Sequence, residues 1–366
     1  MKQLRLTALL LLGAFALQAQ SITLPTGGGN QKRSTSQRIG ITDVKISWDA
    51  PGVKGREGKI WGTQIAHYGF QNLGFGTAKE SPWRAGANEN VTVWFSTDVS
   101  IEGKPLAAGK YGFHIAVYAD SCTLIFSKDN MAWGSYAYNL AQDALRVTVR
   151  QQKDLPSREW LSYEFSDPTE NSATVALEWE RWRIPFKVSV DLQKTVVASL
   201  RRELQGSIGF YDENCFAAAQ FCLDKNYNLE EALTWANLAT TMNGSFTNFS
   251  LKAQIEEKLG KTADAEKTMA GALDKATVQE LHQYGRQLVS QKKAAKALEV
   301  FELNHKKNGD TWPVHVGLMR GYSANGNVKK ALEHAQTALK QAPDDMNRKN
   351  LENYVKTLSE GKALVQ

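Results

Sequence analysis

The sequence predicts a chain of two domains, an antiparallel β-sandwich followed by an α-solenoid. The chain has 366 residues, which is enough for two separate hydrophobic cores. Up to about residue 190, apolar and polar residues alternate in short runs, as in half-buried strands. Beyond about residue 195, apolar residues recur every three or four positions, as in amphipathic helices. Eight of the ten tryptophans precede residue 185, so the two halves also differ in composition.

Residues 1–20 have the pattern of a secretory signal peptide. Lys2 and Arg5 supply a positive start, and Leu9–Leu17 is an apolar run too short to span a bilayer. The first cysteine is Cys122, so no lipid-anchor cysteine follows the run. No later stretch is long and apolar enough to be transmembrane. We therefore expect a periplasmic or secreted protein with no transmembrane segment after signal removal.

Residues 21–40 are rich in Gly, Ser, Thr and Gln, which predicts a flexible leader. Residues 41–192 are expected to form the β-sandwich domain. Turn signals separate short alternating runs at regular intervals there, which is typical of antiparallel sheets. Strands are predicted near Val44–Trp48 and near 90–98, 110–118, 121–127, 144–150, 159–166, 172–181 and 184–191. Lys104–Gly109 is interpreted as a hairpin connection.

Residues 200–362 contain an internal repeat. Four similar phrases are each centred on an alanine, at intervals of 33, 32 and 34 residues. This pattern resembles the tetratricopeptide repeat, a helix–turn–helix unit of about 34 residues. Gly285 and Phe301 occupy further repeat positions in the third unit, where a small residue lets paired helices approach closely. The four anchors are Ala232, Ala265, Ala297 and Ala331.

Several phrases in residues 35–190 resemble a secreted bacterial family, the domain of unknown function 2911. The combination of Trp-Arg-Ala-Gly-Ala-Asn-Glu with Lys-Gly-Arg is specific, and the phrases span most of the domain. The resemblance implies export and pairing with helical repeats, and it implies no activity. The phrases are Val44–Trp48, Pro51–Arg56, Ile60–Gly62, Pro82–Glu89, Gly103–Tyr111, Trp133-Gly134 and Asp143–Arg146.

One group of loop residues ahead of a predicted strand is the strongest candidate ligand site. Arginine forks bind carboxylate or phosphate, and tryptophan stacks on sugars and aromatic rings. The structural alternative is that Arg56 or Arg84 pairs with Glu89 while Trp83 plugs the end of the sandwich. A second aromatic set, Trp133, Tyr136 and Tyr138, is either a sugar-binding face or core packing. The candidate ligand-binding residues are Lys54, Arg56, Trp83, Arg84, Asn88 and Glu89.

Evidence for catalysis in the sequence is weak, and we assign no catalytic residue. His67, Glu89 and His114 form a possible metal set, but their spacing matches no metal-binding motif. Cys215 and Cys222 are seven residues apart on a predicted helix, about 10 Å at ~1.5 Å per residue. That distance is too long for a disulfide. No cofactor motif is present, so no cofactor is predicted.

The sequence favours an exported envelope binding or scaffold protein over an enzyme. Stacked helix pairs suit a protein or peptide partner, and the β domain suits a small or glycan-like ligand. The alternative is a periplasmic hydrolase that uses Glu89 with His67 or His114, with or without a metal ion. The formal charge of +6 comes from basic residues scattered among acidic ones, so nucleic-acid binding is not expected.

Overall fold

The computed structural model describes residues 29–364, so the predicted signal peptide and residues 21–28 of the predicted leader lie outside it. The described chain forms two compact units with the division between Thr195 and Val196. Eleven strands in two open antiparallel sheets precede ten α-helices within these residues, which confirms the predicted order of β domain and helical domain. None of the described helices combines the length and apolarity needed to cross a bilayer.

The first sheet has six strands and carries most of the strands expected from the alternating pattern. On β3, Val91, Val93 and Phe95 are buried while Trp94 is exposed on the opposite face, as the period of two predicts. In spatial order the sheet consists of β1 (Gln31–Ile39), β2 (Thr42–Ala50), β3 (Ala87–Phe95), β6 (Gly109–Val117), β7 (Cys122–Ser127) and β8 (Asp143–Val149).

The second sheet has five strands, and it corrects the interpretation of Lys104–Gly109. The chain turns at Glu102-Gly103, where both residues have positive φ, and enters a short strand, β5, in the second sheet. Lys104–Leu106 is therefore a strand paired with β4, and the chain crosses to the first sheet at residues 107–108, so Lys104–Gly109 is not a hairpin connection. In spatial order the sheet consists of β5 (Lys104–Leu106), β4 (Val99–Ile101), β11 (Trp182–Ser189), β10 (Ser172–Glu180) and β9 (Arg158–Ser166).

One continuous hydrophobic core joins the two sheets. Phe113 of the first sheet lies 5.7 Å from Phe186 of the second, between ring centroids. Trp48 packs edge-on against Tyr163, and its indole Nε1 donates a hydrogen bond of 3.1 Å to the Leu161 carbonyl oxygen. The sheets therefore pack face to face, as the predicted sandwich requires.

The prediction of a flexible leader over residues 21–40 was wrong for residues 31–39. Gln31–Ile39 forms β1, which pairs with β2 along its whole length at the edge of the first sheet. Polar residues occupy this strand because most of its side chains are exposed or half-buried. Its composition therefore gives little of the apolar alternation on which the strand prediction depends.

The helical unit contains four helix–turn–helix units in the predicted register. Their second helices begin at Leu229, Thr262, Ala294 and Val328, in steps of 32 to 34 residues, and each carries one predicted anchor alanine. Helix α1 precedes these units and α10 follows them. The helices are α1 (Leu192–Glu203), α2 (Asp212–Asp224), α3 (Leu229–Met242), α4 (Phe246–Lys258), α5 (Thr262–Lys275), α6 (Val278–Ser290), α7 (Ala294–Asn308), α8 (Trp312–Ala324), α9 (Val328–Lys340) and α10 (Asp345–Ser359).

Small residues bring α6, α7 and α8 close together around one aromatic ring. A Cβ atom added to Gly285, Gly317 or Gly321 would lie less than 3.0 Å from the side chain of Phe301, which is closer than real Cβ contacts. Phe301 is fully buried. The glycines thus make the space that this ring fills, and the repeat positions identified in the sequence have a packing explanation.

Candidate functional site

Trp83 belongs to the core of the β domain and not to an open ligand site. It is 4% exposed, stacks on Trp179 with 6.0 Å between ring centroids, and packs edge-on against Trp61 at 5.5 Å. Trp61 in turn stacks on Trp182. The alternative in which Trp83 plugs the sandwich describes this environment better than the ligand-binding interpretation does.

A buried carboxylate, Glu180, holds the Gly-rich loop that follows Pro51 through hydrogen bonds. Glu180 is 4% exposed, and it accepts hydrogen bonds from the backbone N–H of Gly58, from Trp61 Nε1 and from the backbone N–H of Arg181. In a regular strand successive side chains alternate between faces, so Glu180 would lie on the face opposite the buried Trp179. Instead it has a positive φ at the strand end, which turns its side chain inward to hold the loop.

Arg56 and Lys54 lie in that same loop, and neither contacts Glu89. Arg56 donates hydrogen bonds to the carbonyl oxygens of Val53 and Gly52, at 2.8 and 2.7 Å. Lys54 is exposed, and its backbone N–H donates to Glu159. Arg56 therefore stabilises the conformation of the loop, while the Lys54 side chain is exposed to solvent.

Arg84 anchors a different loop. Its guanidinium donates a hydrogen bond of 2.7 Å to the Asn88 carbonyl oxygen and lies over the Tyr136 ring, 4.8 Å from the centroid. It also packs directly on Gly134, where an added Cβ would overlap the guanidinium. The adjacent Trp133 is 59% exposed. The Trp-Gly phrase thus pairs a glycine needed for packing with a tryptophan whose ring is accessible.

Glu89 pairs with a lysine that the sequence did not single out. Lys32 on β1 forms an ion pair with Glu89, and the Lys32 hydrogen bond holds the pKa of Glu89 below its usual range. Asp49 on β2 lies beside them, and burial raises its pKa. The sequence alternative paired Glu89 with Arg56 or Arg84 because strand β1, which carries Lys32, was not predicted. The alternation of apolar and polar residues in β1 is too weak to predict a strand.

His114 and Ser135 form a buried pair on the outer side of the first sheet. The Ser135 hydroxyl and His114 Nδ1 are 2.9 Å apart, which is within reach for a nucleophile and its base. Both residues are at most 3% exposed, and burial lowers the pKa of His114 to about 3. So weak a base, closed off from solvent, does not support hydrolysis at neutral pH.

The weak metal alternative is not supported by the described residues. Across residues 29–364, no three His, Cys, Asp or Glu side chains are placed to hold a metal ion, and this includes His67, Glu89 and His114. The cysteines are free and buried, and burial raises the pKa of Cys122 to about 12 and that of Cys222 to about 11. Cys215 and Cys222 lie on α2 as predicted, and neither is an activated thiolate.

The helical unit contains an open groove of about 730 Å³ between α5 and α7, which sequence reasoning did not identify. Its apolar lining comes mainly from the three consecutive helices α5, α6 and α7 and includes Met269, Leu273, Tyr284 and Val300. Its rim carries three acidic and three basic side chains: Glu257, Glu266, Glu299, Lys258, Lys293 and Lys296. The repeat pattern in the sequence predicts the helices, but a groove depends on how far apart they pack.

Solved helical structures resemble part of the chain. They include MamA from Desulfovibrio magneticus RS-1, with 18% identity, covering 41% of this chain and 90% of that one, at a TM-score of 0.27. A tetratricopeptide repeat protein from Parabacteroides merdae has 15% identity and covers 46% and 68%, with a TM-score of 0.30. A thermophilic repeat protein from Thermus thermophilus has 16% identity and covers 45% and 91%, with a TM-score of 0.29. No curated protein matches the sequence.

The β domain matches a family model over most of its length. The model covers residues 30–188, from just before β1 almost to the end of β11, and its description is "Protein of unknown function (DUF2911)". This range contains every phrase on which the resemblance was based. The resemblance is therefore confirmed: the DUF2911 family model matches the β domain, which four helix–turn–helix units follow in this chain.

Proposed function

We propose that the protein is an exported binding or scaffold protein whose helical repeats hold a peptide segment of a partner protein. The groove between α5 and α7 is the observation that carries this proposal. Its volume lies in the range of small-ligand and peptide pockets, about 300–1,000 Å³. Export is supported by the signal-peptide pattern of residues 1–20.

The lining of the groove indicates the kind of segment it takes. Met269 and Tyr284 offer adaptable apolar and aromatic surface, which suits the apolar side chains of a peptide. The six rim charges balance, with equal numbers of each sign. We therefore propose a segment with apolar anchors flanked by residues of both charges, rather than a strongly acidic or basic one.

The test is a selection of displayed peptides against the complete chain, followed by titration of the selected peptides. We expect the affinity for the selected peptides to fall at least about tenfold in Met269→Glu, because a charged side chain replaces apolar surface that the peptide would cover. Lys267→Glu is the matched control, since Lys267 is exposed on the same helix and does not line the groove. It should bind the peptides as the wild type does.

Two outcomes would reject the groove as the binding site. One is that no peptide is selected above background. The other is that Met269→Glu, with its helical content unchanged by circular dichroism, binds the selected peptides as well as Lys267→Glu does.

Within this proposal the β domain takes a small or glycan-like ligand at its exposed aromatic loops. Trp133 and Phe75 are 59% and 75% exposed, and Phe75 packs edge-on against Tyr136, over which Arg84 lies. Exposed rings beside a fixed guanidinium are suited to the faces and hydroxyls of a sugar. Of the six candidate ligand-binding residues, only Arg84 lies here. Trp133 and Tyr136 belong to the second aromatic set, for which a sugar-binding face was one of the two alternatives.

A further inference from the structure

Three histidines from three consecutive helices lie together in the helical unit. His315 on α8 is at the centre: its Nδ1 lies 3.0 Å from Nδ1 of His334 on α9, and its ring centroid lies 6.1 Å from that of His305 on α7. The side chain of His315 is 5% exposed. The groove and the β domain use none of these residues.

The contact between His315 and His334 depends on their protonation. A hydrogen bond between two ring nitrogens needs one donor and one acceptor, so one Nδ1 must carry a hydrogen and the other must not. When either ring becomes an imidazolium, both of its nitrogens carry hydrogens. When both rings do, two N–H groups and two positive charges face each other across 3.0 Å.

The Asp310 carboxylate favours a proton on His315, but burial opposes that proton more strongly. Asp310, in the loop between α7 and α8, accepts a hydrogen bond of 2.8 Å from His305 Nε2. His315 Nε2 is 3.3 Å from the same carboxylate but makes no hydrogen bond. Burial is the main cause that lowers the pKa of both His315 and His334.

The remaining groups near His334 act in both directions. Glu333 on α9 attracts a proton to the ring. Tyr322 on α8 stacks on the ring, with 5.5 Å between centroids, and its hydroxyl donates to Glu302 of α7. Lys330 Nζ lies over the Tyr322 ring, 4.9 Å from its centroid, and adds positive charge. The balance therefore rests on the direct Nδ1 contact rather than on a distant charge.

We propose that this histidine cluster is a pH-sensitive contact that loosens α9 from α8 in acid. The side chains of α9 that are fully buried in the apolar cluster shared with α8 are Ala331, Ala335 and Ala338, which are small, while Leu332 and Leu339 are only partly buried there. The apolar area that opposes opening is therefore modest. The fourth repeat unit then opens locally while the units before it stay closed. Opening begins as the pH falls below the unfolded histidine pKa of about 6.5.

Proton linkage determines whether acid stabilises or destabilises the fourth repeat unit. A histidine whose folded pKa is lowered binds fewer protons when folded, so the free energy of unfolding falls as the pH drops from the unfolded pKa towards the folded pKa. For local opening, each extra proton taken up increases the opening equilibrium up to about tenfold per pH unit. Above the unfolded pKa both rings are neutral and the contact is intact.

The experiment is hydrogen exchange with mass spectrometry on the complete chain at about pH 7.5 and about pH 5.5, in the range where histidine titrates. The rates are corrected for intrinsic exchange, and a chelator is present. We expect the opening equilibrium of α8 and α9 to rise at least about tenfold in acid, while that of α4 and α5 changes little.

Two variants show whether the acid response comes from the His315–His334 contact or from the burial of any histidine. His334→Asn keeps a side-chain donor near Nδ1 without a titrating ring, so the acid response of α8 and α9 should largely disappear. His282→Asn is the matched control, because His282 is also largely buried with a lowered pKa, and its Nδ1 bonds the Pro313 carbonyl oxygen outside the cluster. That variant should keep the response.

The proposal is overturned if α4 and α5 open in acid as much as α8 and α9 do. It is also overturned if His334→Asn keeps the acid response, or if His282→Asn removes it equally. Should His334→Asn fail to fold, His315→Asn removes the other partner of the same contact, and the comparison of helices in the wild type still decides.

Discussion

A single buried carboxylate determines the conformation of one end of the β domain. Glu180 accepts three N–H donors, two of which belong to the loop that contains the Lys-Gly-Arg phrase. Hydrogen bonds to a buried charged acceptor contribute more than neutral ones, about 1.5–3 kcal/mol each. The Lys-Gly-Arg phrase, which suggested a ligand site, lies in a loop that Glu180 holds in place, so a structural role explains it.

Replacement of Glu180 by Gln should destabilise the β domain by about 2 kcal/mol or more. The amide NH₂ would replace one carboxylate oxygen, and it cannot accept a hydrogen bond from the N–H groups that face it. Urea unfolding followed by tryptophan fluorescence measures this change. Glu164→Gln is the control, since Glu164 is 51% exposed in its ion pair with Arg158 and should cost under about 1 kcal/mol. Equal losses in both variants would contradict the assigned role.

The candidate site was only partly predictable from sequence, because the fold decides which face each side chain takes. Trp83 and Arg84 are adjacent, yet one lies in the core and the other lies over Tyr136. Residue types and their spacing show which groups are near one another along the chain. They do not show which face each group takes when the strand is irregular, and they do not show partners such as Lys32 that another strand supplies.

At the scale of elements, the packing of α6, α7 and α8 depends on three glycines around Phe301. Gly285→Ala should lower the free energy of unfolding by about 1–3 kcal/mol, because the added methyl group overlaps the ring. Gly271→Ala is a control of opposite sign. Gly271 lies on α5 with open space around it, so alanine there should stabilise the helix by about 0.5–1 kcal/mol.

Chemical denaturation followed by circular dichroism measures both changes. Phe301→Leu combined with Gly285→Ala should cost less than the sum of the two single changes, since the smaller side chain leaves room for the methyl group. Strict additivity would show that Gly285 and Phe301 are not coupled as the structure indicates.

The elements found from sequence are those with a strong apolar period. The anchor alanines predicted all four repeat units, because close helix packing requires small residues at fixed intervals. The strands β4 and β5 have three residues each, which is too short for an alternating pattern to be recognised. Strand β1 is long enough, but its exposure removes the apolar signal.

At the scale of the molecule, the two units have separate hydrophobic cores, so we expect two unfolding transitions in calorimetry. A glycan that binds at the exposed aromatic loops should raise only the transition of the β domain. Trp133→Ala should abolish that shift, and Trp94→Ala, which removes another partly exposed tryptophan, should preserve it. A shift in the helical transition, or one that survives in Trp133→Ala, would contradict the proposed glycan site.

Strand β1 also has a consequence for solubility. It is the outermost strand of the first sheet, and it covers the backbone hydrogen-bonding edge of β2 with a strand rich in Lys, Arg, Ser, Thr and Gln. Strands with exposed polar side chains at a sheet edge discourage pairing between molecules. A protease that cut near Gly40 would free the edge of a strand carrying Val44, Ile46 and Trp48, and the shortened protein would self-associate edge to edge.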